Sequence, residues 1–556
     1  MLVRLLNKPA ISLCLMGVAL GANAQVVVDS SFGSGGALNG PNFQIPDNLG
    51  KTVGDNLFHS FTEFSLQSGQ SATFTGPDAI QNILGRVTGS KVSEIDGLIK
   101  SEITGANLYL LNPKGFLFGE NAKVDVDGAF TVSARESIRL GEEGSFNAVN
   151  PDQSVFVSAA PEAFGFLGEN PGGPITLTGT KLIVEHPVEL NGGDIELKDS
   201  FVYSKSEGDP TSIRIEGENL DIVDSQIRNK TISEHDQYQG ISIELTGELT
   251  ITDTTITEQL DSGIDRGDFI EEIESDLPFS NKVGVLGFTE GLSETAPISI
   301  RAKSSRITGG GVYSVNLVPS DKLFDSTKSS NIEMEVDAFE INHGTLENLT
   351  KFDNLVHTEA ITLEETTGVI KPKEFPYPAV ESVEVYLEGK RVFEGVDYTL
   401  NYNNMGKLLS VTFLESLPKG TSVDIIARPK VSVSPTNISL SVAGETKLGN
   451  ESLLKASHIN IDAGELLMDN SRVEGEYSIG INSAGSLSMD NGSLMRSDYV
   501  EQGRIGLASS DFLVQGNSRL AGSNKIEVNA KNKAVIKDDS SLVVGWEDAP
   551  VIPDDR

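Results

Sequence analysis

The side chains able to do chemistry are sparse and spread out. His59, His186, His235, His343, His357 and His458 show no metal-ligand spacing, so each reads as a surface or corner residue. Carboxylates offer more. Asp125 and Asp127 alternate onto one strand face, and Asp199, Asp224 and Asp253 recur at 25 and 29 residues, which aligns them if the chain coils. Two or three carboxylates on one face of a coiled β body serve as acid and base on a glycosidic bond, or hold calcium. A secreted carbohydrate-active enzyme of the pectinase or lyase type is therefore the rival to a non-enzymatic reading. An Asp before Ser at a corner has a plainer use, because its side chain hydrogen-bonds the local backbone. Gly192-Gly193-Asp194 is too little for a calcium-binding nonapeptide repeat, and no Gly-x-Ser-x-Gly, phosphate loop or dinucleotide fingerprint stands between a strand and a helix. The expectation is a chain with no catalytic residue, no metal and no cofactor. Arg266-Gly267-Asp268 spells an integrin-type adhesion tripeptide, of interest only on an exposed loop.

What must position any such residue is a set of short strands and tight corners. From Asn107 the apolar run Leu108-Tyr109-Leu110-Leu111 breaks at Asn112-Pro113-Lys114-Gly115. Phe116-Leu117-Phe118 then ends at Gly119-Glu120-Asn121-Ala122, and strict alternation follows through Val124 and Val126. Asn-Pro-x-Gly makes a good turn because Pro fixes φ at its second position and Gly accepts positive φ near its end. The stretch reads as a chain folding back on itself.

These residues carry a resemblance. Asn112-Pro113-Lys114-Gly115-Phe116 resembles the Asn-Pro-Asn-Gly-aliphatic hallmark of the secretion domain of filamentous-haemagglutinin-like exoproteins, with Lys114 in place of the second Asn. Upstream, Asn56-Leu57-Phe58-His59-Ser60-Phe61 is similar to the family's opening strand, and Ile80 to Gly89 and Ser93 to Gly97 are similar to its next blocks. The resemblance covers roughly residues 30 to 170 and implies a right-handed parallel β-helix with an amino-terminal cap. It further implies that Asn107, Asn112, Pro113, Gly115, Phe116, Gly119 and Asn121 form a secretion motif. The implied partner is an outer-membrane β-barrel transporter with periplasmic docking domains, and adhesion to a host-cell or surface glycan or protein receptor is the implied downstream role.

Composition fits an exported chain. Arg4 and Lys8 precede an apolar stretch from Ala10 to Leu20, and Ala22-Asn23-Ala24 supplies small residues before Gln25, as in a cleaved secretory signal at 1–24. The apolar run is too short for a membrane span. Cys14 would leave with the signal, so the mature chain cannot use disulfides. The 80 acidic against 43 basic residues give a net charge of −37, which excludes nucleic acid as a partner.

Beyond residue 175 a loose repeat appears: an aliphatic residue, a spacer, Asp or Asn, Ser or Thr, then another aliphatic. Leu197-Lys198-Asp199-Ser200-Phe201, Ile222 to Ile227 and Ile251 to Ile256 show it, as do the segments around Asn470, Asn491, Asn517 and Asp539. Spacings of 21 to 29 residues suit a solenoid whose alternate aliphatic side chains face inward. Roughly 15 to 18 coils would make a rod on the order of 70 to 90 Å long. One segment breaks the period. After Lys371 to Pro378, hairpin-like strands run from Val383 to Ile426, with turns at Glu388-Gly389 and Met405-Gly406 and a Gly395-Val396-Asp397-Tyr398-Thr399 element that resembles a small β-sandwich of bacterial surface proteins. Helical periodicity is confined to a turn or two at Asp268 to Leu277. The expected organisation is all-β: a signal peptide at 1–24, a secretion domain at 25–175, β-helix at 176–366, an inserted β-sandwich at 367–430, β-helix again at 431–543 and a tail at 544–556.

Overall fold

The computed structural model describes residues 25–165, 172–207, 211–232, 240–254, 282–290, 297–318, 331–352, 357–372, 380–394, 396–402, 408–429, 436–497 and 503–544. The signal at 1–24, Arg266-Gly267-Asp268, the expected turn at 268–277, the Met405-Gly406 turn and residues 545–556 lie outside them. Among the described residues the regular helix is limited to two three-residue 3-10 turns, Asp47–Leu49 and Pro151–Gln153. The rest is all-β, dominated by parallel pairing and consistent with a β-helix.

Alternating aliphatic residues build three faces, visited in turn. The first runs through Asn56–Phe64, Asn82–Val87, Asn107–Leu111 and Phe130–Ser133, and continues to Lys525–Ile536. Thirteen successive parallel pairings make fourteen rungs among the described residues. At about 4.8 Å per rung this is a stack roughly 60 Å tall. Two sets of strands, those between Ser137 and Gly165 and those between His357 and Pro429, pair outside the coil and add no rung to it. One inward column reads Leu57, Ile83, Leu108, Phe130, Val188, Ile213, Ile241, Ile298, Ile332, Ile438, Ile459, Ile479 and Ile505, every member at most 1% exposed. Each such side chain contributes about 1.5 to 3 kcal/mol of burial.

A second face starts at Ser93–Ile95 and Phe116–Phe118 and resumes at Ile175–Thr178. A third begins with Asn42–Pro46, Ser71–Thr75, Leu98–Ser101 and Lys123–Asp125, then continues as a separate ladder from Lys181–Val184 to Ser541–Val544. The corner between second and third faces needs left-handed backbone. Asp199, Asp224, His343, Asn450, Glu451, Asn470, Asn491, Asn517, Asp538 and Asp539 all sit there with φ between 46° and 62°. Asp and Asn tolerate this region best after Gly, which is why the repeat carries them; Asp253 occupies the same corner without positive φ. Where a Ser follows, as at Ser200, Ser225 and Ser518, it turns inward and is buried, and Ser540 is half-buried. The serine hydroxyl receives a backbone N–H from the coil before: Thr180 N donates to Ser200 Oγ (3.1 Å), Ser200 N to Ser225 Oγ (2.8 Å) and Ser518 N to Ser540 Oγ (2.9 Å).

The first rung does not present a bare edge. Val26–Val28 and Lys51–Val53 pair antiparallel with Asn56–Phe64. Between Phe130–Ser133 and Ile175–Thr178 the chain leaves the coil as three antiparallel strands, Ser137–Leu140, Gly144–Asn147 and Pro161–Gly165. These cover apolar residues on the outside of the first coils, so Phe58, Leu84 and Leu111 share a cluster with Ile138, Leu140 and Phe146.

The antiparallel unit takes in more chain than its expected start at 367. His357–Thr362 pairs with Ser422–Pro429, which also pairs with Val380–Leu387; Thr367–Ile370, Leu408–Leu417 and Tyr398–Tyr402 form the facing sheet. Its core, including Val385, Tyr398, Val411, Phe413 and Ile425, shares no residue with the coil's core. Across the excursion the coil is continuous, because Asn331–Asn342 hydrogen-bonds directly to Asn437–Gly449. Glu388 and Gly389 (φ 48° and 75°) make the tight hairpin turn the sequence called for.

Candidate functional site

One coil of the amino-terminal region gathers all seven residues of the expected motif, one group at each corner. Asn107 opens the first-face strand. Its Nδ2 donates to Asn82 Oδ1 (3.1 Å), Asn82 Nδ2 donates to Asn56 Oδ1 (2.9 Å), and Asn107 Oδ1 accepts from Ala129 N (2.9 Å). Four rungs are thus tied by an amide ladder.

Asn112 closes the same strand and is fully buried. Its Nδ2 donates to Lys91 O (3.0 Å) and Ser93 Oγ (2.9 Å) of the preceding coil, while its Oδ1 accepts from Lys114 N (3.0 Å). Gly115 N donates to Asn112 O (2.9 Å), closing the turn that Pro113 starts. Gly115 has φ +104°, and a Cβ there would stand 2.3 Å from Pro174 O. That carbonyl accepts from Phe116 N (2.9 Å), so the turn is pressed against the next coil. Phe116 and Phe118 point inward and stack at 6.1 Å, leaving Leu117 outside.

The next corner depends on Asp96. Its Oδ1 accepts from Asn121 N (2.9 Å) and its Oδ2 from Asn121 Nδ2 (3.1 Å), and a Cβ on Gly119 would lie 2.4 Å from Oδ1. Gly119 is therefore set by close approach and Asn121 by the carboxylate one coil earlier.

Two further residues complete the site, and the sequence did not single them out. Arg86 is 1% exposed. Its Nε donates to Ser60 Oγ (2.8 Å), Nη1 to Asn147 O (2.6 Å) and Ser154 Oγ (2.7 Å), and Nη2 to Ser31 Oγ (3.1 Å). Its guanidinium lies 4.7 Å from the Phe146 ring centroid. Burial pulls it down to about 10, against the pull of Asp29 and Asp152. Asp29 is also half-buried; burial would raise its carboxyl, but hydrogen bonds from Ser60, Ser31 and Thr88 outweigh it and hold it below its usual range. Arg86 thereby fastens the amino-terminal strand, two coils and the outlying sheet to one another. The only sequence signal was a charged residue inside the apolar block Ile83-Leu84-Gly85-Arg86-Val87.

His59 corrects the surface-or-corner expectation. It faces the coil interior, 1% exposed, with its ring 5.5 Å from that of Phe74, and burial holds it neutral by lowering its pKa to about 3. Alternation along Asn56–Phe64 places it inward whatever its polarity.

The carboxylates of the enzymatic rival are placed as follows. Asp199, Asp224 and Asp253 do stack at one corner, their N–H groups donating to Val223 O, Thr252 O and Thr308 O on successive coils. The Asp224 carboxylate is occupied locally, accepting from Thr254 N (3.0 Å) and Thr254 Oγ1 (2.6 Å). Asp125 pairs with Lys100 (3.1 Å), whereas Asp127 accepts from Gly105 N (2.8 Å) around the following corner. Among the described residues no three His, Cys, Asp or Glu side chains converge as a metal set.

Residues 17–273 match the family model described as the TPS secretion domain. No curated protein and no solved structure matches the chain.

Proposed function

We propose that this chain is a two-partner secretion exoprotein with a dedicated outer-membrane transporter, a reading supported by the match of residues 17–273 to the TPS secretion domain, and that the coil holding Asn112 and Gly115 is the unit that secretion builds first. The single observation that carries this is the convergence of cross-coil contacts there, those of Asn112 and Arg86 buried and that of Asp96 nearer the surface. Asn112, Asp96 and Arg86 each bind neighbouring coils, and together with Pro174 they draw in residues from 31 to 174. Once this unit is closed, every later coil adds to a ready row of backbone donors and acceptors. The costly step is the first edge.

In this proposal residues 1–24 direct export and are removed, and a β-barrel partner with periplasmic docking domains receives the secretion domain. Outside the insert the body is a right-handed parallel β-helix whose amino-terminal part lies in the secretion domain matched over 17–273; the β-sandwich is an insert best drawn at 357–429, and 544–556 is a tail. The exposed product acts as an adhesin at the surface of a Gram-negative cell or in its medium. The acidic surface supports this, keeping a long rod soluble outside the cell.

The test is export itself. Gly115→Val, Asn112→Ala and a chain lacking 56–133 with its leader intact are expressed beside the partner transporter, and the exoprotein is measured in medium, cell surface and periplasm. Periplasmic loss of the deletion and of Gly115→Val, with a milder defect for Asn112→Ala, is the expected order. Normal export of the deleted chain overturns the proposal.

A further inference from the structure

Along the corner between the first and second faces runs a straight groove of about 1070 Å³. It touches eight successive rungs of the first face, from Ile241–Leu245 to Lys525–Ile536, or roughly 34 Å at the rung spacing. Small residues at the corner open it, among them Ala443, Ala463 and Ala484. Its wall is an outward row in which Ser441, Asp462 and Asn482 stand on successive rungs, followed by Ala508 and then Asn529. On the floor, Ser509 is 2% exposed and its Oγ has no hydrogen-bond partner, whereas Ser483 one rung earlier donates to Ser486 O (2.9 Å).

We propose that this groove binds an extended, uncharged glycan chain lying parallel to the coil axis. The inference deepens the adhesin reading by naming its ligand class and site. Three features select that ligand. The strands flanking the groove between Ile298 and Val514 are paired on both sides, so their backbone groups are already used and cannot hold a peptide as an added strand. Recognition falls to hydroxyl, amide and carboxylate side chains repeated at the rung spacing, which suits a polymer of hydroxyls whose two-sugar repeat is close to two rungs. Finally, the groove is charge-balanced, with Arg301, Lys303 and Lys531 against Glu335, Asp337 and Asp462, inside a chain of net −37. A polyanion meets overall repulsion there.

The experiment uses the purified full chain, so it is independent of export. Cello- and chito-hexaose, heparin and an unstructured decapeptide are titrated by calorimetry against wild type, Ala443→Arg, Ala484→Arg and Asn482→Ala. Ala443 and Ala484 are exposed, so arginine there fills the groove without entering the core. A neutral hexasaccharide should bind, at least tenfold more weakly to either arginine variant and about threefold more weakly to Asn482→Ala, with unchanged melting temperatures. No hexasaccharide binding, binding indifferent to both arginines, or preference for heparin or the peptide overturns the inference. Normal export of the chain lacking 56–133, with glycan binding intact, would instead fault the secretion reading alone.

Discussion

The coils up to Ser133 and those after Thr436 share three faces but fill them differently. The early coils bury Phe61, Phe64, Phe74, Phe116, Phe118 and Phe130, together with His59, Arg86 and Asn112. The late coils stack like on like, Ile438 on Ile459 on Ile479 on Ile505, with methionines at Met468, Met489 and Met495. Early contacts also reach far along the chain: Asn56 to Ala159, Arg86 to Ser154, Thr180 to Phe118. Late ones join residues about one coil apart, such as Ser471 with Ser493. A repeating interior spreads any single loss over equivalent neighbours, whereas the early coils hold contacts that nothing else duplicates. Their ends differ likewise. The first rung is covered by antiparallel strands, while the last described coil pairs on one side and carries exposed Lys531, Lys533 and Lys537, a common device for discouraging stray strand pairing.

Substitutions in matched pairs put that contrast at risk. Arg86→Met should cost most, about 4 kcal/mol, since it strips partners from Ser60, Ser154 and Asn147 O in a buried site. Chemical denaturation reads the loss, and a change under 1 kcal/mol would make the early network dispensable. Gly115→Val should follow at roughly 2 to 3 kcal/mol, combining positive φ with the approach of Pro174 O. Gly506→Val is its late-coil counterpart, with nothing within 4 Å of the added Cβ, and should change the melting temperature hardly at all. Similar costs for the two glycines would erase the distinction.

Acid provides a third test. Folded His59 stays neutral down to about pH 3, while the unfolded imidazole takes its proton near 6.5. Its contribution is therefore whole above pH 6.5 and is lost as pH falls toward 3, by about 1.4 kcal/mol per unit. Between pH 7 and 5 wild type should lose about 2 kcal/mol relative to His59→Gln; parallel curves would refute the buried neutral assignment. Asn491→Ala at a late corner should cost about 1 kcal/mol, with Asn491→Gly near neutral because only the left-handed angle is at stake. Equal losses for Ala and Gly would point to the Asn491 amide, which donates to Asp469 (2.5 Å), as the source instead.

Legibility followed the range of the interaction. The Asp and Asn corners at 199, 224, 470, 491, 517 and 539 were readable because backbone angle is a local property. The Asn112-to-Gly115 turn was readable for the same reason. The outlying strands at 137–165 were not, since their partner is the outer side of Phe58, Leu84 and Leu111, which nothing local relates to them. The start of the inserted unit was missed likewise: His357–Thr362 belongs with Ser422–Pro429, across some sixty residues. Arg86 was visible as an oddity, but its five-way role depends on loops brought together only by the fold.

From residue 207 onward, added chain is taken up repeatedly where the third face returns to the first, and once, between Thr252 and Gly284, at the corner between the second and third faces. Between Glu207 and Ile213, Ile232 and Ile241, Val318 and Asn331, and Phe352 and Asn437 the intervals vary freely, while the rungs on either side stay in register. By contrast, Ala456 and His458 turn the same corner with one residue between them. Pairing is decided by the strands and is indifferent to how much chain separates them. This edge is thus where whole modules can be accommodated while the rungs beside it keep their register.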